Sequence, residues 1–341
     1  MVETTTNNNE NAEFIVKYKQ DFYDITKFLK NHPGGINTLK GLNEGDMTER
    51  FMKAPPHSDA AMYLMNEYKI DSDKIPKNGK KIANGDTNNN PINVKLDDSM
   101  EHLVDWDKAM VPQIAKITAH YDEWVHKPVD RPLRLFGPWY LEACTKTPWW
   151  VVPTFWVPVI LYCIIDRFSD SWYRGEYIKL FGLSLYFGVG ILFWTLLEYS
   201  LHRWLFHMKT KDTQSSAVCT IHFMLHGLHH KVPFDPLRLV FPPLPGVLLA
   251  SIIYLPLSFM LPNPRVVLGG ALFGYLCYDM MHYYLHYGSP TREHLYYMKR
   301  YHYQHHFAHQ DLGYGISSPL WDFVFNTRIH LRKLRYILKW K

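Results

Sequence analysis

Nineteen of the 341 residues are histidine, and ten of these recur at spacings that suit metal ligation. They read HRWLFH (His202, His207), HGLHH (His226, His229, His230), HYYLH (His282, His286) and HYQHH (His302, His305, His306). On an α-helix, positions i, i+3 and i+4 share a face, so each HxxHH box is expected to turn three imidazoles to one point and HxxxH two. His202 and His207 are five apart, a looser match that still permits a shared side. Neutral imidazole suits zinc, copper, iron and nickel alike, so ligand type leaves the metal open. Ten imidazoles with few neighbouring carboxylates suit two metals with about five nitrogens each, both keeping a position for oxygen or water. A hydrolytic zinc site needs only three protein ligands and a water, so ten ligands over four segments point to redox metals and oxygen chemistry. His222, one turn before His226, is read as a hydrogen-bond partner rather than a ligand. Ligating imidazoles usually donate their other N–H to a carboxylate or carbonyl. Glu198, one turn before His202, and Asp279, three residues before His282, are candidates for that role. His102, His120, His126, His294, His309 and His330 match no ligand spacing.

The elements that must position these rings are apolar helices. Residues 148–165 and 180–197 carry no charge. Residues 239–261 are likewise uncharged, and 266–285 are apolar enough to continue as a helix. About 20 apolar residues cross a bilayer core, so these are four transmembrane candidates. Short turns join the first to the second and the third to the fourth, which makes two membrane hairpins. Residues 1–147, 198–238 and 279–341 then share one side, and every histidine box lies there. The two turns hold only Arg167, Arg174, Lys179 and Arg265, whereas residues 279–341 alone hold nine basic residues. By the positive-inside rule that side, with both termini, is cytosolic. Residues 100–147 carry Trp, Pro and Tyr at irregular spacing and are expected to form an interfacial or docking segment.

Composition narrows the class. The net charge of +5 comes without a dense Lys/Arg block, which argues against a nucleic-acid partner. Four scattered cysteines with no CxxC pair exclude a disulfide scaffold and a thiolate metal site. The mean hydropathy of −0.23 looks soluble only because a polar first third dilutes an apolar remainder. MVETTTNNNENAE holds no apolar core of a secretory signal and reads as a disordered tail over 1–13. FIVKY alternates like a strand, Asp24 opens a short helix, and Asn31–Gly35 makes a turn. Residues 71–99, rich in Asn, Asp, Lys and Gly, read as a linker.

His32-Pro-Gly-Gly, GDMTERF and His57-Ser-Asp-Ala-Ala together resemble cytochrome b5 over residues 14–70. The resemblance implies one haem b held between His32 and His57, and a haem ligated on both faces carries electrons. The series HxxxxH…HxxHH…HxxxH…HxxHH, with FWTLLEYS and LGYGISSPLWDFVF around it, resembles the membrane fatty acid hydroxylase and sterol desaturase superfamily over about 130–330. Within it the chain is most similar to the fatty acid 2-hydroxylases. The implied fold is mixed: a small α+β cytochrome b5-like domain, then residues 100–341 as an all-α polytopic membrane domain of four transmembrane helices with a cytosolic His-rich helical cap. The likeness implies two iron ions held by His202, His207, His226, His229, His230, His282, His286, His302, His305 and His306; zinc can occupy the same positions after purification. It further implies O2-dependent hydroxylation at C2 of a fatty acyl or ceramide lipid for sphingolipid synthesis, in the endoplasmic reticulum membrane, with an NAD(P)H-linked cytochrome reductase as electron donor. A desaturase or sterol C–H oxidase shares these features and is the alternative. A His-rich metal transporter or haem sensor is disfavoured, because transporters place ionisable groups within their spans and these spans are almost free of them. Trp194, Trp204, Tyr283 and Tyr284 are expected either to line the substrate pocket or to anchor at the interface.

Overall fold

A computed structural model of the chain describes residues 13–29, 31, 32, 38–53, 57, 59–70, 100–211, 213, 215–288 and 290–331. The tail over 1–12, the linker over 71–99 and Pro33–Gly35 of the expected turn lie outside the described residues. The chain divides into two units, residues 1–98 and 99–341.

The first unit is built on a four-stranded sheet of order β3-β1-β2-β4. β1 (Ile15–Tyr18) and β2 (Asp21–Asp24) form an antiparallel hairpin in which Ile15 pairs with Asp24. β3 (Gly45–Asp46) joins β1 in parallel, and β4 (Lys69–Ile70) joins β2 antiparallel. Two helices accompany the sheet, α1 (Thr48–Lys53) and α2 (Asp59–Asn66). Ile15 and Phe22 are buried against Ile70, but burial does not alternate along the strands: Val16 and Tyr23 beside them are buried too, so both faces of the hairpin are covered. The helix expected from Asp24 does not form within residues 26–29, which make turns. Asp24 nevertheless caps this segment by accepting from the Thr26 N–H at 3.0 Å.

The second unit is helical. Short helices α3 (Val111–Ile114), α4 (Tyr121–Val125) and α5 (Trp139–Cys144) lead into the long α6 (Val151–Tyr173) and α7 (Tyr177–Ser200). A π-helical stretch, Leu201–Phe206, prolongs α7. Next come α8 (Ser216–His222), a second π-helical stretch Phe223–Gly227, and α9 (Leu228–Lys231). α10 (Pro243–Met260), α11 (Pro264–Tyr287), α12 (Glu293–Phe307) and α13 (Leu320–Val324) complete it.

Among the described residues, three helices are long and apolar enough to cross a membrane: Val151–Tyr173, Tyr177–Phe206 and Pro243–Met260. The first runs past its expected end because Asp166, Arg167 and Asp170 sit on continuing helix, where charged heads can reach the interface; the second runs on through Glu198 into the π-helical stretch. The third begins at Pro243 rather than residue 239, since prolines lack the N–H that a helix interior needs and suit its first turn. The fourth expected span, α11, differs in kind. Its 24 residues are long enough, but it carries Arg265, Asp279, His282 and His286 and buries Val266, Val267, Leu272 and Tyr275 against the other helices. Asn263, at φ 53°, adopts the left-handed conformation that reverses the chain between α10 and α11. The expectation of an interfacial segment over 100–147 is met only in part. Trp139, Tyr140 and Leu141 are exposed, but Met110, Ile114, Tyr121, Trp124, Val125 and Val129 are wholly buried. The aromatic spacing looked irregular because these residues belong to short helices packed on the histidine-bearing segments.

Candidate metal centre

The ten histidines converge, but not box by box. His229, His282, His286, His302 and His306 form one group and His202, His207, His226 and His305 another; in each, one nitrogen per ring lies within 4.8 Å of all the others. No carboxylate belongs to either group among the described residues. Each HxxHH box therefore splits instead of aiming at one point. His302 and His306, four apart, meet with Nε2 atoms 3.0 Å apart, while His305 turns to the other group. His226 and His230 likewise meet at 3.1 Å while His229 goes to the first group. The expected five-and-five division becomes five and four, with His230 outside the mutual set but stacked on His306 at 4.3 Å between ring centres.

The five-residue spacing of His202 and His207 is explained by the π-helical winding. The His207 N–H donates to the His202 carbonyl at 3.0 Å, a five-residue bond, and brings the two rings to 5.0 Å. His226 lies in the second π-helical stretch. Gly227 follows because a Cβ there would meet the Tyr121 hydroxyl at 2.6 Å and His222 Nδ1 at 2.8 Å. His222 itself hydrogen-bonds Tyr121 at 2.6 Å and joins neither group.

Hydrogen bonding sets the tautomers of three rings. His202 Nδ1 lies 2.6 Å from the Tyr314 carbonyl, His305 Nδ1 2.8 Å from that of Leu312, and His282 Nδ1 3.2 Å from that of Leu239. A carbonyl only accepts, so each Nδ1 carries the proton and each neutral Nε2 keeps a lone pair. Burial pushes His302, His305 and His306 well below the ordinary imidazole value, which keeps them neutral. The His282 Nε2 lone pair then faces the Nε2 atoms of His229 at 3.0 Å and His302 at 3.1 Å. His302 Nε2 also faces that of His286 at 2.9 Å. In the second group His207 Nε2 and His305 Nε2 are buried with no hydrogen-bond partner. Converging lone pairs without enough protons to share are what a bound cation satisfies, and an all-imidazole donor set suits Fe, Zn, Cu or Ni.

Glu198 and Asp279 do not touch the imidazoles. Glu198 Oε1 accepts from the N–H groups of Ile316 and Ser317, and Asp279 accepts from the N–H of Phe241. Sequence reasoning found both acids but not their partners, which lie far along the chain. It missed Asp322, which accepts from the N–H groups of Tyr314 and Gly315. It also missed the fully buried Lys231, which pairs with Glu101 at 2.7 Å.

Beside the histidines lies an apolar cleft, with about 960 Å³ of atom-free space including its mouth. Phe206 and Tyr278 wall its inner end; they stack on His226 and His282 respectively. Leu261 and Pro264 mark the other end. Of the four aromatics expected in the pocket or at the interface, Trp194 lines the cleft, Trp204 is exposed, and Tyr283 packs on Trp149. Tyr284 stands partly exposed.

In the first unit His32 Nδ1 lies 3.1 Å from Thr38 Oγ1, and the His57 ring stacks on Phe51 at 3.7 Å. Burial holds His57 below the ordinary imidazole value, against a raising contribution from the Phe51 backbone.

Buried imidazole groups beside helices long and apolar enough to cross a membrane define a histidine-rich membrane protein whose two clusters fit a metal site. Residues 187–327 match the Fatty acid hydroxylase family and residues 2–72 the Cytochrome b5-like Heme/Steroid binding domain. The chain is 39% identical to the fatty acid 2-hydroxylase of Mus musculus, over 92% of this chain and 91% of that one. It is 45% identical to the dihydroceramide fatty acyl 2-hydroxylase FAH2 of Arabidopsis thaliana, over 66% of this chain and 93% of that one. Identity to the ceramide very long chain fatty acid hydroxylase SCS7 of Saccharomyces cerevisiae is 31%, over 96% and 94%. A solved structure of full-length scs7p, with only the hydroxylase domain visible, superposes with a TM-score of 0.60 at 35% identity, covering 69% of this chain and 88% of that one. The chain belongs to the fatty acid 2-hydroxylase family and is a hydroxylase with an N-terminal cytochrome b5-like domain.

Proposed function

We propose that the chain hydroxylates C2 of fatty acyl chains, free or in ceramide, to supply 2-hydroxy acyl groups for sphingolipids. The observation that carries this reading is the convergence of imidazole lone pairs at the inner end of an apolar cleft. His229, His282, His286, His302 and His306 would hold one iron and His202, His207, His226 and His305 the other, with His230 as a tenth ligand. An iron pair there would supply O2-dependent C–H hydroxylation, and a haem between His32 and His57 would supply electron transfer from an NAD(P)H-linked reductase.

The protein's own part is to bind, orient and keep dry. Between Pro264 and Tyr278 the cleft follows α11 over a rise of about 21 Å, room for an extended acyl chain with its head at the histidine end. Trp156, Trp194 and Tyr275 wall it with apolar surface that excludes water. Phe206 and Tyr278, lying between cleft and histidines, orient the carbons nearest the head. α11 serves as a fourth span, with both termini and the histidines on the cytosolic face of the endoplasmic reticulum membrane.

The test is a lipid profile of cells expressing the chain beside its His305→Ala variant. Sphingolipid acyl chains heavier by one oxygen at C2, absent from the variant, support the reading. Products lighter by two hydrogens identify a desaturase instead.

A further inference from the structure

Glu198 and Asp279 occupy equivalent places in two similar devices. Glu198 precedes His202 by one helical turn, and its Oε1 accepts from the N–H groups of Ile316 at 2.9 Å and Ser317 at 3.0 Å. Its Oε2 accepts from the Ser317 hydroxyl at 2.5 Å. Two residues before Ile316, the Tyr314 carbonyl receives the His202 Nδ1–H. Asp279 precedes His282 by three residues and accepts from the Phe241 N–H at 3.2 Å and the Tyr275 hydroxyl at 3.3 Å. Two residues before Phe241, the Leu239 carbonyl receives the His282 Nδ1–H. Each device is a closed loop. A helix-borne carboxylate grips a distant backbone segment, and that segment's carbonyl grips an imidazole on the same helix.

We propose that Glu198 and Asp279 are positioning residues, each serving one metal: Glu198 the group of His202, His207, His226 and His305, Asp279 the group containing His282. This rests on the two-metal reading above. Glu198 has the wider reach, because the segment it holds also offers Leu312 and Tyr314 carbonyls to two rings of its group. The place needs an acceptor. A glutamine would keep its oxygen on the Ile316 and Ser317 N–H groups and donate its NH2 to the Ser317 hydroxyl oxygen, whereas an alanine removes both acceptors and releases the segment. Without that carbonyl, His202 loses what holds its proton on Nδ1 and its lone pair on Nε2.

The experiment measures metal per full-length chain, in detergent and under chelator competition, with iron and separately with cobalt. Glu198→Ala should bind one metal normally and the other about 10- to 100-fold more weakly, the usual effect of removing a ligand's supporting partner. Combined with His305→Ala it should cause no further loss, whereas combined with His302→Ala it should lose both metals. Asp279→Ala should show the reverse pattern. Ser317→Ala removes one donor and leaves the carboxylate, so it should weaken the Glu198 metal alone by a few fold; it carries the test if Glu198→Ala does not fold. Equal weakening of both metals, or full retention of both in the folded variants, overturns the proposal. Unsubstituted protein that binds fewer than two metals overturns the underlying reading instead.

Discussion

Gly190 and Gly270 face each other backbone to backbone where α7 crosses α11. A Cβ on Gly190 would fall 2.1 Å from the Val267 carbonyl oxygen, and one on Gly270 would fall 2.0 Å from that of Phe187. Helices without a hydrophobic force between them associate through close approach, which small residues allow. This crossing sets the distance between the helix that leads into His202 and the helix that bears His282 and His286.

Gly190→Val is therefore expected to destabilise strongly. Overpacking costs about 1–3 kcal/mol, and more where backbone atoms must move. Both metals should be lost together as the melting temperature falls. Gly182→Ala on the same helix, with nothing within 4 Å of its Cβ position, should melt at or above the parent temperature. Thermal melts in detergent with parallel metal analysis check both.

Lys231 is wholly buried one residue after His230. It donates to Glu101 at 2.7 Å, to the Trp124 carbonyl at 3.1 Å and to the Lys127 carbonyl at 2.6 Å. Its ammonium also lies 4.5 Å from the Trp124 ring centre. Removing one partner of a buried ion pair leaves an uncompensated charge and costs about 3–5 kcal/mol. Lys231→Met should lower the free energy of unfolding by that amount, and the double variant Lys231→Met, Glu101→Gln should recover part of it. Chemical denaturation of the four proteins of this cycle gives the coupling directly.

The contrast between Lys231 and His202 shows what was legible in the sequence. The histidine boxes announced the site because ligand spacing is local, and apolar runs announced the long helices. How boxes divide between two groups was not readable, because α-helical period alone sends three rings to one point, whereas π-helical winding and packing across helices separate them. Glu198 was visible as one turn from His202, but its partners Ile316 and Ser317 lie more than a hundred residues on. Lys231 and Glu101 carried no pattern, since a buried ion pair is made by tertiary packing alone.

Glu142 predicts an acid limit to stability. Burial pushes its carboxyl up, but the Phe136 N–H, the Arg238 guanidinium, Lys146 and the Leu135 N–H together outweigh this and hold it below the ordinary value. A carboxyl whose folded value is depressed adds stability above its unfolded pKa of about 4.3, and that stability is lost as pH falls through the folded value. The parent should therefore lose stability below about pH 4.5 more steeply than Glu142→Gln. Unfolding midpoints of both proteins between pH 3 and pH 7 test this; parallel curves refute it.

His302 and His305 lie one turn apart on α12 yet belong to different groups. If the groups bind separate metals, His302→Ala and His305→Ala should each bring metal content from about two per chain toward one, and together toward none. His226→Ala, from another segment, should then behave like His305→Ala: the pair combined should lose no more than either alone. His229→Ala, three residues further along, should instead add to His305→Ala. Metal analysis of the single and double variants separates this partition from the simpler one in which each box holds its own ion, for there His302→Ala and His305→Ala would empty the same site.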